Sequence, residues 1–192
     1  LIKNNQILKM SKREGNFITL QEVYNQVGKD PLRYFMVSTK SETSMDFDLN
    51  KVIEKNKDNP VFYCQYAYAR ASSVINKAGD LGINIKSFNN FSEIIQYLTE
   101  DEIEIILKLL SYPYIVKLAS NAREPHRLTN FIEDLSASFH SFWNKGKENE
   151  SLRFIDENNI IKTQTKLVWL QSMRIIFENI FNIIGIDYHE TM

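Results

Sequence analysis

The sequence predicts a mainly α protein: a bundle of roughly four or five helices preceded by a small mixed α/β piece. Three observations predict it. Glycine (6) and proline (4) are scarce in 192 residues, which disfavours a sandwich or barrel built on tight hairpins. Several long stretches repeat apolar residues at spacings of three and four between recognisable helix starts and stops. Strand signals are short: ILKM at 7–10 and the alternating MDFDL at 45–49.

The elements follow in order. ILKM could end a short strand, and Gly15-Asn16 reads as a turn tolerant of positive φ. Thr19 precedes LQEV with Glu22 three residues on, the pattern of a capping box. The helix it opens runs through Val27 and stops at Gly28. Asp30 is positioned to cap a second helix with Pro31 at its first position, and Leu32, Phe35 and Met36 fall on one face. Residues 40–50 are polar and turn-rich, with MDFDL extended. Asn59 and Pro60 open a long helix ending near Gly79, with Val61, Cys64, Tyr68, Ala71 and Ile75 as its apolar stripe. Residues 80–98 read as a loop. Thr99 and Glu102 form a second capping box, and Pro113 is expected to split the following run into two helices. Pro125 starts a helix with Leu128, Ile132, Leu135, Phe139 and Phe142 as its core face. The last helix runs from about Ile161 to Ile184, with Gly185 as its stop.

Composition narrows the class. Hydrophobic residues are 43% and charged residues 24%, as in a soluble globular protein. A single cysteine, Cys64, allows no internal disulfide and fits a reducing, cytoplasmic setting. No run of 18 apolar residues and no signal-peptide pattern is present, so no membrane association is expected. Residues 1–80 carry 12 Lys and Arg against 9 Asp and Glu, and residues 81–192 carry 11 against 15. The balances, +3 and −4, exclude a broad basic field, so any RNA partner must be held by a local patch. Cys64, His126 and His140 lack metal-ligand spacing.

The segment KMSKREGN at 9–16 carries the most specific chemistry. Lys9 and Lys12 place two ammonium groups three residues apart beside the Ser11 hydroxyl. Such a group on a loop suits a triphosphate: it can close after the ligand enters and stabilise charge as pyrophosphate leaves. Alone, a Lys-x-Ser-Lys tetrapeptide is far more often a solvated basic turn.

The residues that follow carry a resemblance. KMSKREGNFITLQEVYNQVGKDPLRYFMVS resembles the KMSKS-loop region of class I aminoacyl-tRNA synthetases, and the longer pattern is similar to arginyl-tRNA synthetases. The family's KMSKR-x-GN, TL, G-x-D-x-x-R-Y and acidic FDL segments find matches at Lys9–Asn16, Thr19-Leu20, Gly28–Tyr34 and Asp46–Leu49. Asn59–Arg70, NPVFYCQYAYAR, resembles NPV-x-Y-x-QYAHAR, with Tyr68 in place of the family's His. Glu124-Pro125-His126-Arg127-Leu128 resembles EPH-x-L, and Gly185-Ile186 resembles a late LGI. Lys166-Leu167 stands where RL is usual, and Thr191 departs from a terminal ERM.

The resemblance implies a C-terminal portion of the enzyme with three parts. Residues 1–18 would carry the KMSK loop at the end of the catalytic domain, 19–58 a stem-contact region, and 59–192 a DALR-type helical anticodon-binding domain. The parent would be an arginine-tRNA ligase using ATP with Mg²⁺, arginine and arginine tRNA, cytoplasmic and monomeric. The portion alone would be inactive, since no HIGH-type segment or amino-acid pocket is present in it, and it would hold no cofactor structurally. Lys9, Ser11 and Lys12 would be catalytic, with Lys9 and Lys12 on the ATP phosphates.

Candidates for tRNA contact combine a polar end with a helix face or terminus: Gln65, Tyr66 and Arg70 on one helix, Arg123, His126 and Arg127 near a helix start, and Met192 at the C-terminus. Tyr66 and Arg70 are i, i+4 neighbours. His140 reads as structural, and most aromatics, Phe139, Phe142 and Phe177 among them, as core. Two other readings stand beside this one. One is the related helical domain of another class I synthetase, the cysteinyl enzyme. The other is a helical protein-interaction module without RNA binding.

Overall fold

The computed structural model describes residues 1–3, 6–7, 18–85 and 91–192, with side chains at all of these except 3, 6, 7 and 91. Lys9, Ser11, Lys12 and the expected Gly15-Asn16 turn lie outside the described residues. Two short antiparallel strands, β1 (Ile2–Lys3) and β2 (Gln6–Ile7), open the chain with Ile2 opposite Ile7. The expected extended segment lies beside β1: Ile2 N–H donates to the Phe47 carbonyl at 2.8 Å and Leu49 N–H to the Ile2 carbonyl at 3.0 Å. Six α-helices follow among the described residues: α1 (Leu20–Val27), α2 (Lys29–Ser38), α3 (Pro60–Asp80), α4 (Glu100–Ala122), α5 (His126–Glu148) and α6 (Ile160–Ile184).

Local chemistry sets the helix starts. Thr19 and Glu22 form the expected capping box on α1, and Thr99 and Glu102 form the one on α4. Asn59 accepts from Val61 N–H and donates to the carbonyls of Val52 and Glu54, so one side chain caps α3 and fastens the preceding turn to it. Gly28 (φ 82°) ends α1, and Gly185 (φ 75°) ends α6. At Gly185 the reason is also steric: an added Cβ would lie 2.6 Å from Arg33 Nε.

Three expectations need correction. Asp30 does not cap α2. Gly28 holds the N-cap position, and the Asp30 carboxylate accepts from Gln65 and from the Asp187 N–H instead. Met36 is half exposed, and Tyr34 takes the buried place. The reason is that α2 lies between two cores, Leu32 facing one and Tyr34 the other, so Met36 rotates outward. Pro113 does not split its run: α4 is continuous through it. Ile105 and Leu109 before it and Ala119 after it are buried on the bundle, and that packing holds the axis across the missing N–H.

A small core of Val23, Val27, Leu32, Phe47, Leu49 and Val52 unites α1, α2 and the extended segment. The larger core lies among α3, α4, α5 and α6. The predicted stripes of α3 and α5 face it: Val61, Cys64, Tyr68 and Ala71 are buried, as are all five predicted residues of α5, and Ile75 is half-buried. Each fully buried large apolar side chain there contributes about 1.5–3 kcal/mol. By length and composition α6 could cross a membrane, but half of its most apolar window is buried inside the bundle.

Behind this core sits a buried ion pair. Lys166 and Glu102 are almost fully enclosed, with Nζ 3.9 Å from Oε1. Lys166 Nζ also donates to the carbonyls of Leu152 (2.9 Å) and Arg153 (3.0 Å), pinning the turn after α5. Burial pushes its ammonium down to about 8, while Glu102 pulls the other way.

Candidate nucleic-acid interface

The middle of α3 and the C-terminal half of α5 present one polar-aromatic face, closed on one side by the end of the chain. A cavity of about 420 Å³ lies there, lined by Tyr66, Arg70 and Ser73 from α3, Trp143 and Lys147 from α5, and Glu190–Met192. Of the predicted contacts, the structure therefore brings together Tyr66, Arg70 and Met192.

Arg70 is held rather than free. Its guanidinium carbon lies 4.0 Å from the Tyr66 ring centroid and 4.9 Å from that of Trp143. One terminal nitrogen donates to Tyr66 Oη at 2.9 Å, and the other meets His140 Nδ1 at 3.0 Å. Tyr66 in turn stacks on Phe62, centroids 5.7 Å apart. The i, i+4 spacing on α3 explains the first contact. The stacked cation is worth about 0.5–2 kcal/mol and fixes the direction of the fork. Among the described residues two of its five N–H groups are engaged, one by Tyr66 and one by His140.

His140 sets the back of this arrangement. Its Nε2 lies 3.1 Å from the Tyr63 carbonyl, which can only accept, so Nε2 carries the proton. Nδ1 is then an acceptor for Arg70. Burial holds the imidazole below its ordinary value, the Arg70 charge adds to this, and the Tyr63 bond opposes it. The sequence reading of His140 as structural misses its link to Arg70. It also passes over Trp143 and Lys147. The signal was present in SFHSFWNKGK: His140, Trp143 and Lys147 recur at spacings of three and four on one helix face.

The chain end is tied down at several points. Tyr188 packs on Tyr68 and Phe181, with centroids at 5.0 and 5.9 Å. Glu190 meets Arg174 at 3.0 Å and Asn76 at 3.3 Å. Arg174 and Glu178 also surround the Tyr68 hydroxyl, the position at which the motif on α3 departs from His.

The other predicted residues lie elsewhere. Gln65 is buried on a different face of α3, where its amide donates to Asp30 (3.0 Å) and to the Asp187 carbonyl (2.8 Å). Arg123, His126 and Arg127 gather at the α4–α5 junction. Arg123 ends α4 in the left-handed region (φ 56°), Arg127 pairs with Glu124, and His126 is buried at the start of α5. Arg123 and His126 line a cavity of about 350 Å³ against Lys40 and Glu42. His126 and Trp143 stand 17 residues apart on α5, about 26 Å at 1.5 Å per residue. The two groups therefore form separate sites.

Among known proteins, a family described as the DALR anticodon binding domain matches residues 64–192, and one described as tRNA synthetases class I (M) matches residues 3–62. An arginine–tRNA ligase of Methylobacterium nodulans is 39% identical across the whole of this chain, and one of Pelagibacter ubique is 41% identical. The chain spans 33% of the length of each, so it corresponds to about a third of those relatives. Among solved structures, an arginyl-tRNA synthetase from Campylobacter jejuni superposes on the whole chain with a TM-score of 0.77 at 26% identity, covering 39% of that protein. The arginyl-tRNA synthetase of Thermus thermophilus matches 94% of the chain with a TM-score of 0.66, over 29% of its own length. At 23% identity, that second likeness bears on the fold alone.

Proposed function

Since the chain belongs to the DALR anticodon-binding domain family, we propose that it works as the C-terminal portion of an arginine-tRNA ligase and grips the anticodon loop of arginine tRNA. The observation that carries this is the cavity between Tyr66, Arg70, Trp143 and Met192. Unpaired bases are recognised by stacking on aromatic faces and by hydrogen bonds to their edges. The cavity offers both: the guanidinium plane of Arg70, backed by the rings of Tyr66 and Trp143, for stacking, and its oriented N–H fork for a base edge. Lys147 at its mouth supplies charge for the backbone phosphate.

In this reading residues 1–18 supply the phosphate-binding loop, 19–58 contact the tRNA stem and 59–192 bind the anticodon. The arginine carboxylate attacks the α-phosphate of ATP, pyrophosphate leaves, and arginine passes to the terminal adenosine of the tRNA. Lys9 and Lys12 contact the ATP phosphates, Ser11 shapes the loop, and Mg²⁺ accompanies the nucleotide. The relatives' name supports arginine and tRNA; ATP and a cytoplasmic setting belong to the same proposal. Gln65 is reassigned from RNA contact to holding the chain end, and Arg123, His126 and Arg127 make a second, separate contact with the tRNA.

The test is binding of the chain to an arginine-tRNA transcript, beside one altered only in its anticodon, at several salt concentrations. Tighter binding to the correct anticodon is expected, lost in Arg70→Ala. The dependence on log salt then counts the phosphates neutralised. Absence of binding to either RNA at low salt would sink the reading. It would favour instead a protein-interaction module, for which the exposed stripe Ile103, Leu107, Leu110 and Tyr114 on α4 offers a surface.

A further inference from the structure

A second cavity, of about 460 Å³, adjoins the first, with Trp143 in the wall of both. It shares Ser73, Trp143 and Lys147 with the first and adds Lys77, Arg153 and Phe154. Its floor is aromatic: the rings of Trp143 and Phe154 have centroids 5.6 Å apart at 38°. Its rim is cationic. Neither Lys77 nor Lys147 has an ion pair among the described residues, and the Arg153 pair with Glu150 is exposed and weak.

The far wall is held with unusual firmness for a surface turn. The buried Lys166 ammonium binds the carbonyls of Leu152 and Arg153 from behind. The same turn packs closely on α5 at Gly146, where an added Cβ would lie 3.4 Å from the Leu152 carbonyl oxygen. A buried ammonium is costly. Here it fixes the backbone from which Arg153 and Phe154 project, so the cavity is shaped before any ligand arrives. A cavity of this size falls within the range of small-ligand sites.

We propose that this cavity takes a second unpaired nucleotide of the same RNA loop, adjacent in sequence to the one read by Arg70. Its base lies against Trp143 and Phe154, and its phosphate meets Lys77, Lys147 and Arg153. Trp143 is then the partition between two neighbouring bases. The inference rests on the anticodon-loop reading and adds a subsite to it. Aromatic floor, cationic rim and continuity with the first cavity are what single-stranded nucleic acid requires.

The experiment is a fluorescence-anisotropy titration of the 192-residue chain with a labelled anticodon stem-loop of arginine tRNA, each loop nucleotide made abasic in turn. Three variants are compared with the parent: Arg70→Ala in the first cavity, Lys77→Ala/Arg153→Ala on the second rim, and Ile155→Trp, which fills the second cavity. Thermal melts show that each is folded, and the exposed-lysine-and-arginine variant serves if Ile155→Trp does not fold. Two adjacent loop positions are expected to lose at least about fivefold in affinity on base removal, the lower end for one stacked base. The penalty at one vanishes in Arg70→Ala, and the penalty at its neighbour vanishes in the variants of the second cavity. A single sensitive position, or second-cavity variants that weaken every abasic RNA equally, would overturn the second subsite while leaving the first reading intact. An unmodified stem-loop that fails to bind the parent chain would overturn both.

Discussion

At the scale of single residues, the behaviour of the interface depends on one proton. His140 accepts from Arg70 only when neutral, and its folded value lies below the ordinary imidazole 6.5. The sign follows from that depression. The stability contributed by the neutral ring is complete above pH 6.5 and is lost as pH falls through the folded value. Protonation also removes the acceptor and sets two cations against each other, so Arg70 leaves its position. Affinity for the anticodon stem-loop is therefore expected to hold above pH 6.5 and to fall as pH drops below it, more steeply than in a His140→Asn variant. Parallel pH profiles for the two proteins would sink this role. A second residue makes the opposite point. Cys64 is fully buried beside Tyr34 and Glu133, and burial pushes its thiol up to about 12. In the native chain at pH 8 it should resist iodoacetamide and react at the rate of unfolding; rapid labelling of the folded protein would contradict the burial.

At the scale of elements, two features of the bundle separate local propensity from packing. Pro113 is exposed in the interior of α4 and removes one helical hydrogen bond. Pro113→Ala should raise stability by up to about 3 kcal/mol in chemical denaturation, if the helix is unstrained otherwise. No gain would mean that α4 needs a bend there. Lys166 and Glu102 pose the reverse case. Lys166→Met leaves a buried carboxylate whose other oxygen must still cap α4 through Thr99, and two carbonyls lose their donor. A loss of about 3–5 kcal/mol is expected. Adding Glu102→Gln removes the uncompensated charge and keeps the cap, but turns its NH2 toward the Trp169 indole N–H that now donates to Glu102, so it should restore only part of that loss; additive losses in the double variant would contradict the coupling. The caps and stripes were legible in the sequence because each is a local pattern: Thr19 with Glu22, Thr99 with Glu102, Val61 through Ala71. The continuity of α4, the rotation of Met36 and the pairing of Lys166 were not, because each is decided by residues distant in the chain.

At the scale of the whole molecule, the chain end is the element that joins the parts. Arg33 of α2 donates to the Ile184 carbonyl at 2.8 Å. Asp30 accepts from the Asp187 N–H at 3.0 Å and from Gln65 at 3.0 Å, and Gln65 donates again to the Asp187 carbonyl at 2.8 Å. A seam of three residues, from α2 and α3, thus fixes residues 184–187, and the chain then passes Tyr188 to reach the first cavity at Glu190–Met192. The sequence marked Asp30, Arg33, Gln65 and Gly185 as motif positions, but not that they meet, since they are more than 150 residues apart at the extremes. Their meeting gives α2 a grip on one wall of the candidate RNA site. Asp30→Ala removes the acceptor for both a backbone N–H and the Gln65 amide. It should cost about 1–3 kcal/mol, speed hydrogen exchange at Ile186–Glu190, and weaken binding of the anticodon stem-loop, while exchange across α4 stays as in the parent. Faster exchange with unchanged RNA affinity would show that the chain end closes the cavity without serving it. Unchanged exchange would show that Tyr188 and Glu190 alone hold the end, and that α2 and the cavity respond independently to the RNA.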